Sequence, residues 1–339
     1  MSDPTPPPHK LQLLLSAHAL RTWGARIAEA APELAFVTAE AAAADAGPCD
    51  ADIAFITREV TGRSTKDAHT PELAAFIDVV RRSPRLRWFQ IHAAGADRAI
   101  YGDMRARGVK ITTGSGATAV TVAHSVLGAV IALNRRFPAL ADAQRRHAWE
   151  QRLGANAPRD LAGQRAVVVG LGPIGRNVAT LLKVLGMTVV GVRRVAAPVP
   201  PCDATITYER LRESLPGADW LILSCPLSPL TRGIADARTF AAMRDGACLV
   251  NVARGEVAVE RDIVAALASG KLAGAYLDVF EREPLDPASP LWDMPNVIVS
   301  PHTASHSLGQ NEAIFDIFLD NLARWRAGQA LRNDIDDLA

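Results

Sequence analysis

Short apolar runs recur along the whole chain at intervals that suit strands separated by helices. From residue 10 to about 113 the runs KLQLLLS, ELAFVT, DIAFIT, RLRWFQIH and VKITT alternate with helix-like segments, which predicts a small α/β domain. From Val167 the alternation resumes with VVVG, TVVGVR, WLILSC, CLVNVA, AYLDV and VIVS. Most of these runs are almost uninterruptedly apolar, as strands buried on both faces of a parallel sheet must be. A second, doubly wound α/β domain is therefore expected. Between the two, Thr118 to Leu133 is a run of Ala, Val, Leu and Ile with almost no polar face. Such a helix requires burial on several sides, and its expected place is between the domains and at a subunit contact. Near the end of the chain Ile314, Phe318, Leu322 and Trp325 repeat at helical spacing, with Gly328 as the stop signal; this reads as an amphipathic closing helix.

Composition narrows the range of functions. A chain of 339 residues with 49% hydrophobic content can build two cores. Its 37 basic and 36 acidic residues nearly cancel, so no nucleic-acid or membrane partner is expected and a small-molecule partner is favoured. Cys49, Cys202, Cys225 and Cys248 lie far apart without metal-ligand spacing; reduced thiols, a cytoplasmic location and no metal site are expected. The proline-rich start, MSDPTPPPHK, precedes an apolar run of only Leu11 to Leu15. It fits neither a signal peptide nor a membrane span, and residues 1–9 are expected to be a disordered tail.

The stretch AVVVGLGPIGRNVATLLKVLGMTVVGVRR carries the first chemistry. Gly170, Gly172 and Gly175 form GxGxxG directly after a strand and before a helix, and a second strand begins near Thr188. The three glycines suit a tight turn, close approach of backbone to a pyrophosphate, and close helix–sheet packing. The helix N-terminus attracts the phosphates, and the complete βαβ context makes the signal specific for a dinucleotide. A methyltransferase loop needs an acidic residue after the second strand, and no Asp or Glu occurs between Asp160 and Asp203.

Three further stretches end at strand termini. NVARG puts Arg254 past one strand, LDVFEREPL puts Asp278 and Glu283 past the next, and VIVSPHTAS puts His302 past the last. In open parallel sheets the ligand crevice lies at the carboxyl ends of strands. An Arg, a carboxylate and a His at such an edge, beside a dinucleotide, suit hydride transfer coupled to proton transfer.

With these motifs in order, the chain resembles the D-isomer-specific 2-hydroxyacid dehydrogenases, a family that includes glyoxylate/hydroxypyruvate reductases. GLGPIG, SCPLSPLTRG, NVARGEV, LDVFEREPL and SPHTA carry the resemblance, which runs from about Asp52 to Trp325. It implies two Rossmann-like doubly wound domains, with the substrate domain discontinuous: residues 10–115 and 304–339 around a dinucleotide-binding domain at 116–303. It implies a homodimer formed through the nucleotide domain and a small 2-oxo or 2-hydroxy acid as substrate. It assigns Arg254 to substrate binding, Glu283 to the histidine and His302 to acid/base work. Cofactor contacts are expected at Gly170, Gly172, Pro173, Ile174, Gly175, Arg193, Arg194, Cys225, Pro226, Val252, Ala253, Arg254, Asp278 and His302, with Asp278 on the nicotinamide carboxamide. Ala93, Ala94 and Gly95 follow RLRWFQIH, and the backbone N–H groups there can cradle a carboxylate; Ala94 and Gly95, with Arg254 and His302, are the expected substrate contacts. His124 stands where the family usually has an acidic residue.

An NAD-selective site presents Asp or Glu after its second strand. This chain presents Arg193 and Arg194 instead, about twenty residues past the glycines, so NADP(H) is the expected preference, with NAD(H) possible. His92, His124, His147 and His306 read as structural. Trp149 reads as a packing residue, the alternative being an arm reaching a partner's pocket. A regulator of the same fold that senses dinucleotides and binds other proteins is the alternative function.

Overall fold

The computed structural model describes residues 10–64, 68–151, 153–154 and 157–338, so the expected N-terminal tail lies outside the described residues. The chain separates into two compact units, residues 1–117 with 308–339, and residues 118–307. The divisions fall two and four residues beyond those read from the sequence.

Unit 1 is built on a five-stranded parallel sheet of β1 (Gln12–Leu15), β2 (Ala35–Thr38), β3 (Ile53–Ile56), β4 (Trp88–Ile91) and β5 (Lys110–Thr112). Its strand order is β2-β1-β3-β4-β5. Successive side chains of a strand point to opposite faces, and both faces here are covered. Leu14, Ala54, Ile56 and Phe89 enter one core, whereas Leu13, Leu15, Phe55 and Trp88 enter the other. That division explains why the runs are apolar without alternation.

The second of these cores is closed by the helix Gln310–Arg326. Phe318 stacks on Phe55 at 4.3 Å and Phe315 stacks on Trp23 at 5.0 Å. Trp325 stacks on Trp88 at 5.6 Å, and Gly328 follows at φ +66°, a left-handed stop that glycine adopts without strain. A buried polar chain runs beneath this helix. Trp88 Nε1 donates to Thr112 Oγ1 at 2.7 Å, Thr112 Oγ1 donates to Gln90 Oε1 at 2.7 Å, and Asn321 Nδ2 reaches the same oxygen at 3.1 Å. Asn321 also holds the segment that follows the helix, through the Arg332 N–H at 2.7 Å. Each buried donor is thereby satisfied, as burial requires.

Unit 2 carries a seven-stranded parallel sheet of β6 (Arg165–Val169), β7 (Thr188–Arg193), β8 (Ala204–Thr207), β9 (Trp220–Leu223), β10 (Ala247–Asn251), β11 (Leu272–Leu277) and β12 (Val297–Val299). The order β12-β11-β10-β9-β6-β7-β8 reverses direction between β6 and β9, the switch point at which doubly wound sheets bind ligands. Val167, Val169, Leu221 and Leu223 face one core, and Ala166, Val168, Trp220 and Ile222 the other. The edge strand β8, with no fully buried residue, has no apolar run and left no sequence signal.

The helix Ala119–Asn134 presents one buried face within its unit. It belongs to unit 2 and buries Val122, Ala123, Val126, Ala129, Val130 and Leu133, packed chiefly on the helix Pro173–Val184. Val120 is 54% exposed, and His124 and Gly128 are exposed too. Within unit 2 one face is covered, and Val120, His124 and Gly128 lie on the side left exposed in the single chain.

At the amino end of the unit 2 sheet a single carboxylate ties three segments. Asp219, buried, accepts the Arg165 N–H at 2.8 Å, Arg244 Nη1 at 2.7 Å and the Arg159 guanidinium. Burial opposes its ionisation, but the Arg165 N–H and the two guanidinium groups outweigh burial, and the carboxyl titrates below its ordinary value. A carboxyl depressed in the folded state stabilises the fold above its unfolded pKa, and that contribution disappears as pH falls through the folded value. Thermal melts should therefore lose stability below about pH 4. Asp219→Asn should flatten that loss and cost about 3 kcal/mol at neutral pH, the low end for breaking a buried pair because both arginines are partly exposed. An acid slope identical in the variant would remove Asp219 as its source.

Candidate active site

β6 delivers the chain into the glycine turn. Gly170 sits at φ +97°, and its N–H donates to the Val192 carbonyl at 2.8 Å, which seats the turn on the end of β7. A Cβ on Gly175 would lie 1.8 Å from the Gly170 carbonyl oxygen, so only glycine permits the helix Pro173–Val184 to start this close. Ser224 Oγ donates to that same oxygen at 3.0 Å. Gly172 caps the helix, with Pro173 at its first turn, where a missing N–H costs nothing. A Cβ on Gly172 would meet nothing within 4 Å. Space is thus open beside Gly172 at the start of this helix, an arrangement that fits the phosphates of a dinucleotide. Arg176, which the sequence reading passed over, donates from Nε to the Leu171 carbonyl at 3.0 Å. Its only sequence signal is its place next to the third glycine.

Arg193 ends β7, one residue past the carbonyl that receives Gly170, and Arg194 follows it on the surface. The nearest following carboxylate in the sequence, Asp203, is committed to the opposite end of that strand. It accepts Val189 N–H at 2.7 Å and Lys183 Nζ at 2.7 and 2.9 Å.

Past β10, Asn251 organises the loop that carries Arg254. Its Nδ2 donates to the Arg254 carbonyl at 3.1 Å and its Oδ1 accepts the Ala253 N–H at 3.1 Å. A Cβ on Gly255 would lie 1.8 Å from the Phe280 carbonyl carbon, so this loop docks directly on the loop after β11. There, Glu283 is held by the Phe280 N–H at 3.2 Å through Oε1, and its Oε2 lies 2.9 Å from His302 Nδ1. With Nδ1 directed to a carboxylate, Nε2 is the nitrogen left for a ligand. His302 is half exposed and adopts φ +55°, a left-handed conformation that is costly for a residue with a Cβ.

Asp278 maintains that conformation. Its backbone carbonyl receives the His302 N–H at 2.8 Å. Its Oδ1 accepts Ser300 Oγ at 2.6 Å, Thr303 N–H at 2.8 Å and Ala304 N–H at 3.0 Å. Burial pushes the Asp278 carboxyl above its ordinary value against these donors. The clamp on the histidine loop, absent from the sequence reading, engages most of this carboxylate.

Other expected contacts differ in what they can offer. Cys225 is buried, and burial pushes its thiol up to about 12, so its backbone is the part available to a ligand. Val252 and Ala253 are also buried, while Pro226 is exposed and Ile174 half-buried. Ala94 and Gly95 follow β4 in unit 1, where the Ala93 carbonyl accepts Gly114 N–H at 2.9 Å. His92 is buried against Thr61 Oγ1 at 3.3 Å. Trp149 is 91% exposed, which corrects the packing role: it lines a surface groove of about 550 Å³ with Leu140, Ala143, His147 and Ala148. Among the described residues, no cluster of three or more His, Cys, Asp or Glu could hold a metal, and no helix is long and apolar enough to cross a membrane.

Comparison with known proteins bears on this arrangement. Residues 127–304 match the family described as "D-isomer specific 2-hydroxyacid dehydrogenase, NAD binding domain". A glyoxylate reductase of Thermococcus gammatolerans is 30% identical over 283 residues, which cover 81% of this chain and 84% of that protein. The crystal structure of a D-isomer specific 2-hydroxyacid dehydrogenase from Xanthobacter autotrophicus, in complex with NADPH and MES, is 29% identical with a TM-score of 0.77, covering 96% of this chain and 98% of that one. An NADPH-dependent glyoxylate/hydroxypyruvate reductase of Sinorhizobium meliloti, in complex with NADP and sulfate, is 27% identical with the same TM-score of 0.77, covering 97% and 99%. A strand-end Arg, Glu and His beside a glycine turn thus occur in a chain that belongs to the D-isomer specific 2-hydroxyacid dehydrogenase family, the NAD(P)-dependent oxidoreductases of CH–OH donors.

Proposed function

We propose that this enzyme is an NADP(H)-preferring 2-oxo acid reductase with His302 as the proton donor. The observation that carries the reading is the 2.9 Å pair between Glu283 Oε2 and His302 Nδ1. When bound, a reduced nicotinamide dinucleotide supplies a hydride to the C2 carbonyl carbon. His302 gives a proton from Nε2 to the carbonyl oxygen, and Glu283 holds the ring through Nδ1. Arg254 presents a planar fork to the substrate carboxylate and polarises the carbonyl, while the Ala94 and Gly95 N–H groups offer further donors to the carboxylate. Asp278 keeps the His302 loop in place, and its Oδ2, which also accepts the Ala304 N–H at 3.1 Å, is the oxygen proposed to meet the nicotinamide carboxamide. Glyoxylate and hydroxypyruvate, the substrates named for two relatives, are the first to assay.

Cofactor choice follows from charge. Arg193 and Arg194 sit beside the glycine turn, and guanidinium groups form charge-assisted bonds with a 2′-phosphate. Gly170, Gly172, Pro173, Ile174, Gly175, Cys225, Pro226, Val252 and Ala253 supply the remaining cofactor contacts. The four free cysteines support a reducing, cytoplasmic setting. The exposed apolar set Phe137, Leu140, Trp149 and Leu153 supports a homodimer formed through unit 2.

His302→Ala should lower kcat by about two to four orders of magnitude while NADPH binding, followed by fluorescence, persists; near-normal turnover would exclude His302 as donor. The wild type should have the higher kcat/KM with NADPH than with NADH. Replacing both Arg193 and Arg194 by Ala should weaken NADPH at least about tenfold more than NADH, the scale of one or two charge-assisted bonds. Equal loss for both cofactors would rule out phosphate reading. Light scattering should give a dimer mass, and Leu140→Asp with Trp149→Asp should give the monomer mass; a monomeric wild type would refute the assembly.

A further inference from the structure

Tyr276 and Asp278, two residues apart at the end of β11, point to the same face of the sheet. Ser300, just past β12, donates its N–H at 3.0 Å to the carbonyl of Leu277, the residue between them. Its side chain is thereby set across from both. Ser300 Oγ lies 2.9 Å from Tyr276 Oη and 2.6 Å from Asp278 Oδ1. A serine hydroxyl has one hydrogen to give, and Oδ1 is already an acceptor for the Thr303 and Ala304 N–H groups, so that hydrogen goes to the carboxylate. Tyr276 must then donate to Ser300. The chain of bonds runs one way, from phenol to hydroxyl to carboxylate.

Packing alone does not call for the phenol oxygen. Tyr276 is buried in the core that holds Ala123, Val250, Val252 and Ala304, where phenylalanine would supply the same apolar surface. A buried hydroxyl must find a partner or cost the fold free energy, and among the described residues Ser300 is the one hydrogen-bond partner it has. Burial raises the Tyr276 pKa, the Ser300 bond opposes that rise and the Asp278 charge adds to it, so the phenol keeps its proton and remains a donor. The load on the carboxylate is uneven. Donors at 2.6, 2.8 and 3.0 Å converge on Oδ1, whereas Oδ2 accepts the Ala304 N–H alone among the described residues, at 3.1 Å.

Resting on the reading of Asp278 as the nicotinamide contact, we propose that Tyr276 and Ser300 are positioning residues for the nicotinamide end of the cofactor: their relay anchors Oδ1 so that Oδ2 is turned to the carboxamide amino group. Neither residue touches the cofactor. Tyr276→Phe keeps the packing and removes the donor, which frees the Ser300 hydroxyl to rotate and loosens its hold on the carboxylate. Ser300→Ala removes the shortest bond on Oδ1 directly.

The test compares Kd, by calorimetry, for NADPH and for 2′-phospho-ADP-ribose, which keeps the adenosine end and the pyrophosphate and lacks nicotinamide. Tyr276→Phe should weaken NADPH about threefold to tenfold, the scale of one hydrogen bond, and Ser300→Ala about tenfold or more, the scale of a bond to a charged group. Ser300→Thr retains the hydroxyl and should bind NADPH within about twofold of the wild type. All three should bind the nicotinamide-free ligand as the wild type does. Equal weakening of both ligands, or unchanged NADPH binding in the Phe and Ala variants, overturns the relay. Tyr276→Phe differs from the native side chain by one oxygen and decides the matter if Ser300→Ala does not fold. Asp278→Asn, which keeps an acceptor for the loop and loses the one for the carboxamide, separates the relay from the reading beneath it. If that variant also affects both ligands alike, the nicotinamide contact fails and the relay with it; if it weakens NADPH selectively and the Phe and Ala variants do not, the relay alone fails. Should the wild type bind NADH more tightly than NADPH, NADH and ADP-ribose form the pair and the same outcomes decide.

Discussion

The active-site edge of unit 2 depends on one buried carboxylate. Asp278 bonds two successive N–H groups and a hydroxyl of the loop after β12, and its own carbonyl takes the His302 N–H. A buried carboxylate is tolerated only when donors replace its water, so a loop that left those donors elsewhere would expose the fold to the full desolvation cost. The left-handed backbone of His302 persists because its surroundings over-determine it. The histidine ring is thereby aimed by backbone chemistry before any ligand is present.

From that carboxylate the constraints pass across three strand ends. Glu283 joins the His302 ring to the Phe280 N–H, and Gly255 brings the Arg254 loop against the Phe280 carbonyl. Reciprocal bonds between Glu260 and Glu281, each carboxylate accepting the other's N–H at 2.9 and 3.2 Å, join the same two loops further out. Burial and then the nearness of Glu281 raise the Glu260 carboxyl, with the Glu281 N–H opposing. Arginine, carboxylate and histidine are thus carried by loops that cannot shift independently, which is how a scaffold holds reacting groups to a fraction of an ångström.

The glycine-turn end of the sheet is built by different means. It relies on what is missing: a Cβ at Gly175, an occupied space at Gly172 and a carboxylate at the end of β7. The segment carries the helix start, Arg193 and Arg194, and no Asp or Glu occurs between Asp160 and Asp203, a composition suited to a polyanion.

The sequence by itself determined the fold class, the family and the reaction class. Buried parallel strands must be apolar on both faces, and a turn seated against a helix must be glycine, so these features are written as local patterns, as are the short motifs that end the strands. Even within the sheet the reach of such patterns was limited: β8, half-exposed at an edge, carried no periodic signal. The tertiary structure alone decided which partner each polar group has. Asp278 could be read as a cofactor contact but not as the clamp on residues 303 and 304; Arg176 and Asn251 gave no sign of the carbonyls they would meet; Trp149 was given a packing role and lies exposed. The physical reason is that a hydrogen bond is a relation between two positions far apart in sequence, and neither residue type nor spacing names the second position. Hydrophobic burial needs only a face, and a face is visible along the chain.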